Sequence, residues 1–149
     1  MQTVSENLQK NILAADAVGF SKLVSENEYE TLASLKDCLN IFAKLISKNG
    51  GRIFHSAGDS VLAEFVDSKN ALKAARSIQS EIREHQKSTK LQKLEFRIGI
   101  DFGEVFADGE NLLGEAVNFA VRLESFAQPN GISLSKRFYQ NLGMSELLV

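Results

Sequence analysis

Gly50-Gly51-Arg52-Ile53-Phe54-His55-Ser56-Ala57-Gly58-Asp59-Ser60-Val61-Leu62-Ala63-Glu64-Phe65 is the stretch from which the fold is read. Two β-rich runs, Arg52–Ser56 and Ser60–Phe65, flank Ala57-Gly58-Asp59, which predicts a hairpin with a tight turn. Immediately upstream, Leu32, Leu35, Leu39, Phe42 and Ile46 follow one another at steps of three and four, the stripe of a long amphipathic helix from about Glu26 to Asn49. Asn49-Gly50-Gly51 stops that helix, because glycine tolerates the left-handed conformation of a helix end. Further upstream, the apolar run Ile12–Ala15 reads as a central strand ending at Asp16, and Val18-Gly19-Phe20-Ser21 reads as a turn into a short helix.

Downstream of the hairpin, Asp67 or Ser68 caps a helix whose inner face is Leu72, Ala75, Ile78 and Ile82, fading into the polar stretch Glu84–Lys93. Phe96–Phe102 and Glu104–Ala107 are read as strands hinged at Gly103. Gly114 opens a helix carrying Val117, Ala120 and Leu123 toward the core, and Gln128-Pro129-Asn130-Gly131 ends it. Ile132–Leu134 is a short strand and Ser135–Asn141 a last helix capped by Ser135. The order β-α-α-β-β-α-β-β-α-β-α predicts an α/β (α+β) fold, a ferredoxin-like βαββαβ sheet with helices packed on it.

The chain has 149 residues, 44% hydrophobic and 24% charged, enough for a single domain with a proper core. A net charge of −2 gives no electrostatic case for nucleic acid or an anionic membrane, and no apolar stretch reaches membrane-spanning length. The single cysteine, Cys38, falls inside the long predicted helix, so no intrachain disulfide forms and a reducing, cytoplasmic setting fits. His85, in a polar helix end, reads as solvated.

Asp16 and Asp59 carry the chemistry. If the first strand lies beside the hairpin, the two carboxylates meet at adjacent strand ends and offer hard oxygen ligands to Mg²⁺ or Mn²⁺, as a phosphate-transfer enzyme requires. Taken singly, each equally suits a turn or a helix cap. Gly19 and its turn set free backbone N–H groups at a helix start, a place for phosphate, though the same junction suits a plain strand-to-helix turn. Asn118 and Arg122, four residues apart, share a helix face. Arg can stabilise charge on a transferring phosphorus and Asn can bond a sugar or phosphate oxygen, while the same spacing also describes a solvated face.

ADAVGFSKL, GGRIFHSAGDSVLAEF, FRIGIDFGEV, LLGEAVNFAVRLES and QPNGISLS together resemble the class III nucleotidyl cyclase catalytic domain, the adenylyl and guanylyl cyclase homology domain of bacterial type, from about Asn11 to Phe138. The resemblance implies two metal ions held by Asp16, Asp59 and the Ala17 carbonyl, and a phosphate-binding turn made of Val18, Gly19, Phe20 and Ser21. It implies that Asn118 and Arg122 position the ribose and stabilise the transition state. It implies a homodimer in which one chain supplies the aspartates and the other the Asn and Arg. The reaction implied is cyclisation of a nucleoside triphosphate, ATP first, to a 3′,5′-cyclic nucleotide and pyrophosphate. His55 and Asn111 stand where adenylyl cyclases carry a lysine and an aspartate (sometimes threonine) that read adenine. Both residues here can donate and accept, so GTP or a pyrimidine triphosphate is an alternative substrate. A non-catalytic nucleotide-binding or dimerisation module is a further alternative. The segment Ala107–Leu113 is too short for the family's long β-arm. The family's C-terminal strands, which usually bring a triphosphate-binding lysine, do not follow Val149, so the expectation is one cyclase homology domain shortened at its C-terminus.

Overall fold

The computed structural model describes residues 7–143. They form β1 (Asn7–Ala17), α1 (Phe20–Glu26), α2 (Glu28–Lys48), β2 (Arg52–Ala57), β3 (Ser60–Phe65), α3 (Ser68–Ser88), β4 (Phe96–Asp108), β5 (Asn111–Leu113), α4 (Glu115–Phe126), β6 (Ile132–Leu134) and α5 (Lys136–Leu142), the order read from the sequence. The sheet runs β2-β3-β1-β4-β5, antiparallel throughout, and β6 pairs in parallel with the first half of β4. Strands β2, β3, β1 and β4 with their connecting helices form the expected ferredoxin-like unit.

Local chemistry places the helix ends. Asn27 caps α2 by accepting from the Glu30 amide at 3.1 Å, and Asp67 caps α3 by accepting from the Lys69 amide at 2.8 Å. Ser135 caps α5 by accepting from the Phe138 amide at 3.0 Å. Gly50, at φ 77°, turns the chain out of α2 while the Gly51 amide returns to the Ile46 carbonyl at 2.8 Å.

Strand pleating divides the core in two. Leu13, Ala15, Val61, Ala63, Phe65, Phe96, Ile98 and Ile100 face one side and are covered by α2, α3 and α5. Ile12, Ala14 and Val105 face the other, covered by α4 and Leu112 of β5. Cys38 is buried in the first of these cores.

Several sequence expectations are corrected. Leu32 is 46% exposed, because the stripe of α2 drifts round the helix and Thr31 turns inward instead, its hydroxyl donating to the Leu23 carbonyl at 3.0 Å. Glu104–Ala107 is not a separate strand. β4 runs straight through Gly103, since β1 pairs with it continuously from Ala17 opposite Phe96 to Asn7 opposite Phe106, and the short returning strand is β5. His85 is half-buried on α3 with Nε2 3.5 Å from the Asp37 carboxylate on α2. Leu123 is only half-buried, and the stripe of α4 is completed by Glu124.

A close backbone approach lies where α4 crosses β4. A Cβ added to Gly99 would stand 2.5 Å from the Ala120 carbonyl oxygen and closer still to the Glu124 amide nitrogen. Both atoms are backbone, so neither can swing aside. Gly99→Ala is expected to lower the unfolding free energy by about 1–3 kcal/mol in a urea titration, through overpacking; wild-type stability would mean that α4 rides higher on the sheet.

Candidate active site

Asp16 follows Ile12 and Ala14 at the same pleat parity, so β1 presents its carboxylate to the α4 side of the sheet. Arg97 lies directly opposite it on β4. Asp59 sits in the hairpin turn after Gly58, whose φ of 56° is a left-handed turn conformation. Because β3 pairs with β1, that turn lies beside the end of β1, and Asp59 Oδ2 accepts from the Ala17 amide at 3.0 Å. The structure thus brings Asp16, Ala17 and Asp59 together.

The chain leaves β1 through Val18, whose amide donates to the Glu95 carbonyl at 2.8 Å. Gly19, at φ 62°, then turns it into α1, a conformation a side chain at this position would strain. Phe20 packs against the larger core and Ser21 is exposed. The turn of residues 17–21 is therefore fixed against β4 on one side and the core on the other.

Two residues of the site escaped the sequence reading. Glu124 is only 6% exposed and hydrogen-bonds Asp16. Burial pushes its carboxyl up to about 8, and the hydrogen bond and charge of Asp16 push the same way, so Glu124 holds a proton near neutrality and donates it to Asp16. Burial also raises Asp16; the Glu124 bond pulls it back, Asp59 raises it and Arg97 lowers it. Arg97 is half-buried, and its Nε is buried without a hydrogen-bond partner. Both were findable: Glu124 sits four residues after Ala120 and seven after Val117, a charge in an apolar stripe, and Arg97 shares its pleat parity with Gly99.

Asn118 and Arg122 lie exposed on α4. At 100° per residue they stand about 120° and 160° round the helix from Glu124. Since Glu124 touches Asp16, the Asn and Arg of one chain point away from that chain's own aspartates. Arg122 Cζ lies 5.3 Å from the ring centroid of Phe119. His55 and Asn111 are exposed on β2 and β5, and although three strands separate these in the sheet order, β5 and β2 are in contact.

The donor chemistry at the strand ends fits a hard divalent cation. Asp59 raises the proton affinity of Asp16, and Arg97 opposes it. Among the described residues no three His, Cys, Asp or Glu side chains converge as a metal-holding group, so a cation here would take its remaining oxygens from backbone carbonyl, phosphate and water.

The adenylate and guanylate cyclase catalytic domain model matches residues 5–148, and the chain belongs to that family. It is 32% identical over 134 residues to putative adenylate cyclase 3 of Rhizobium meliloti, covering 87% of this chain and 22% of that protein. It is 32% identical over 129 residues to an adenylate cyclase of Streptomyces coelicolor, covering 86% of this chain and 32% of that protein. The chain thus spans a third or less of these relatives. The crystal structure of an adenylate/guanylate cyclase/hydrolase from Silicibacter pomeroyi is 31% identical, covers 93% of this chain and 81% of that one, and superposes with a TM-score of 0.82. No helix among the described residues is long and apolar enough to cross a membrane.

The Glu124 proton has a thermodynamic consequence. Its carboxyl is raised from an ordinary 4.5 to about 8 in the folded chain, so the stability it contributes is fully present below about 4.5 and lost as pH rises through about 8. Chelator-treated protein is expected to lose stability steadily across that window in denaturant titrations. Glu124→Gln, whose amide still donates to Asp16, should flatten the slope; an unchanged slope would show that Glu124 titrates normally.

Proposed function

We propose that this chain is the catalytic domain of a homodimeric, Mg²⁺- or Mn²⁺-dependent nucleotidyl cyclase that converts ATP to cyclic AMP and pyrophosphate. One observation carries the proposal: two carboxylates meet at the strand ends, while Asn118 and Arg122 lie round α4 from the residue that touches Asp16. A site built from all four groups therefore calls for a second chain.

In this reading Asp16, Asp59 and the Ala17 carbonyl hold two divalent cations, and Val18–Ser21 receives the triphosphate. Bound cations make the 3′-hydroxyl easier to deprotonate and neutralise the leaving pyrophosphate. Asn118 of the second chain orients the ribose, and Arg122 of that chain meets the charge that builds as the 3′-oxygen attacks the α-phosphorus. The adenylate cyclase relatives favour ATP. His55 and Asn111, on elements that touch, favour a second reading in which another base is accepted, because each side chain can donate and accept.

Asp16→Ala and Asp59→Ala are each expected to abolish cyclic nucleotide formation with the fold intact by circular dichroism. Mixing Asp59→Ala with Arg122→Ala chains should restore activity, since one of the two sites in a heterodimer is then whole. Heterodimers that form and stay silent would refute sharing, and near-normal turnover in either aspartate variant would refute the metal assignment of that residue.

The base is tested separately, with ATP, GTP, CTP and UTP and Mn²⁺. His55→Lys with Asn111→Asp supplies the donor and acceptor that adenine matches, and should shift kcat/KM toward ATP roughly ten- to a hundredfold. An unchanged ratio among the four triphosphates would remove both residues from base reading.

A further inference from the structure

We propose that Arg137 and Phe119 are positioning residues for Arg122, clamped through the buried carboxylate of Asp101; this rests on reading Arg122 as the charge-stabilising residue of the cyclase site.

Asp101 is a fully buried carboxylate in the middle of β4. It is held by Arg137 of α5 in a fork, Nε to Oδ1 at 2.8 Å and Nη2 to Oδ2 at 2.5 Å. The remaining terminal nitrogen, Nη1, donates to Glu115 at the start of α4 at 3.0 Å. Gly103, two residues after Asp101 on the same pleat face, makes room for this guanidinium: a Cβ there would lie 2.8 Å from Arg137 Cζ. One arginine thereby ties β4, α4 and α5 together, each of its three nitrogens donating to a carboxylate. A buried ion pair of this kind is poor evidence for stability, because desolvation offsets the attraction; what it supplies is a defined geometry.

The geometry is passed on through one ring. Phe119 is half-buried on α4, with Arg137 Cζ 5.8 Å from its centroid and Arg122 Cζ 5.3 Å from the same centroid. Arg122 is exposed and flanks a cleft of about 530 Å³ between α4 and α5, into which a free arginine side chain could fall. The ring face gives its guanidinium a preferred resting place, and Arg137 holds the ring. The charge of Arg137 is itself met by Asp101 and Glu115, so the guanidinium on the far side of the ring is a neutralised one. Preorganised charge is what a site needs where negative charge develops in the transition state.

The experiment is steady-state kinetics on the purified dimer with ATP and Mn²⁺. Phe119→Leu leaves the Asp101–Arg137 pair untouched and should lower kcat about tenfold with KM within about twofold, the worth of one cation–ring contact used in the transition state. Phe119→Tyr keeps the ring and should restore kcat. Arg137→Met should lower kcat similarly, and the two changes combined should cost no more than the larger alone, since both act through one chain of contacts. In mixed dimers Arg137→Met should complement Asp59→Ala but not Arg122→Ala, which assigns Arg137 to the Arg122 half of the site. If Arg122→Ala abolishes kcat while Phe119→Leu leaves it unchanged, or if Tyr is no better than Leu, the positioning role is overturned and the cyclase reading stands. If Arg122→Ala itself keeps full kcat, both fall.

Discussion

The close approach of α4 to β4 at Gly99 is the contact on which the site depends. With no side chain between them, the helix backbone rests on the strand, and Glu124 is carried down to Asp16. The same seating turns Asn118 and Arg122 outward and leaves Asp101 under the end of α5. A helix held further from the sheet would loosen all three arrangements at once, because packed elements do not deform continuously.

Charge is distributed unevenly across the two faces of the sheet. The face under α2, α3 and α5 is apolar in the central strands apart from the buried, uncharged Asn11 of β1. The face under α4 carries Asp16, Arg97 and Asp101 among its buried or half-buried positions. Each of these is partnered by a group from a different element: Asp16 by Glu124, Asp101 by Arg137, and Asp16 again by Arg97 across the ladder. Buried charge is costly unless matched, and its concentration on one face sets the proposed site on the α4 side of the sheet.

Helix-side periodicity, the hairpin turn and the Asp67 and Ser135 caps were readable from sequence, since each depends on neighbours within a few residues. Asp16 and Asp59 were readable too, once the strand order was inferred. Gly103 was misread as a hinge, because a glycine in a strand serves equally to bend the chain or to admit a distant side chain, here Arg137. Glu124 was passed over for Leu123 because hydrophobicity was used to choose the inward face, whereas the carboxyl of Asp16 gave a polar residue a reason to be there.

Local order along the chain therefore belongs to the sequence: which segments are helix or strand, where they stop, and which residue types could hold a cation or a phosphate. Tertiary structure alone decided which of those residues meet. Arg97 reaches Asp16 only through the register of β1 on β4, Arg137 reaches Asp101 only because α5 returns to β4, and Asn118 and Arg122 are parted from Asp16 only by how α4 is rotated on the sheet. Register, return and rotation are fixed by contacts between residues dozens of positions apart, and local propensity does not encode them.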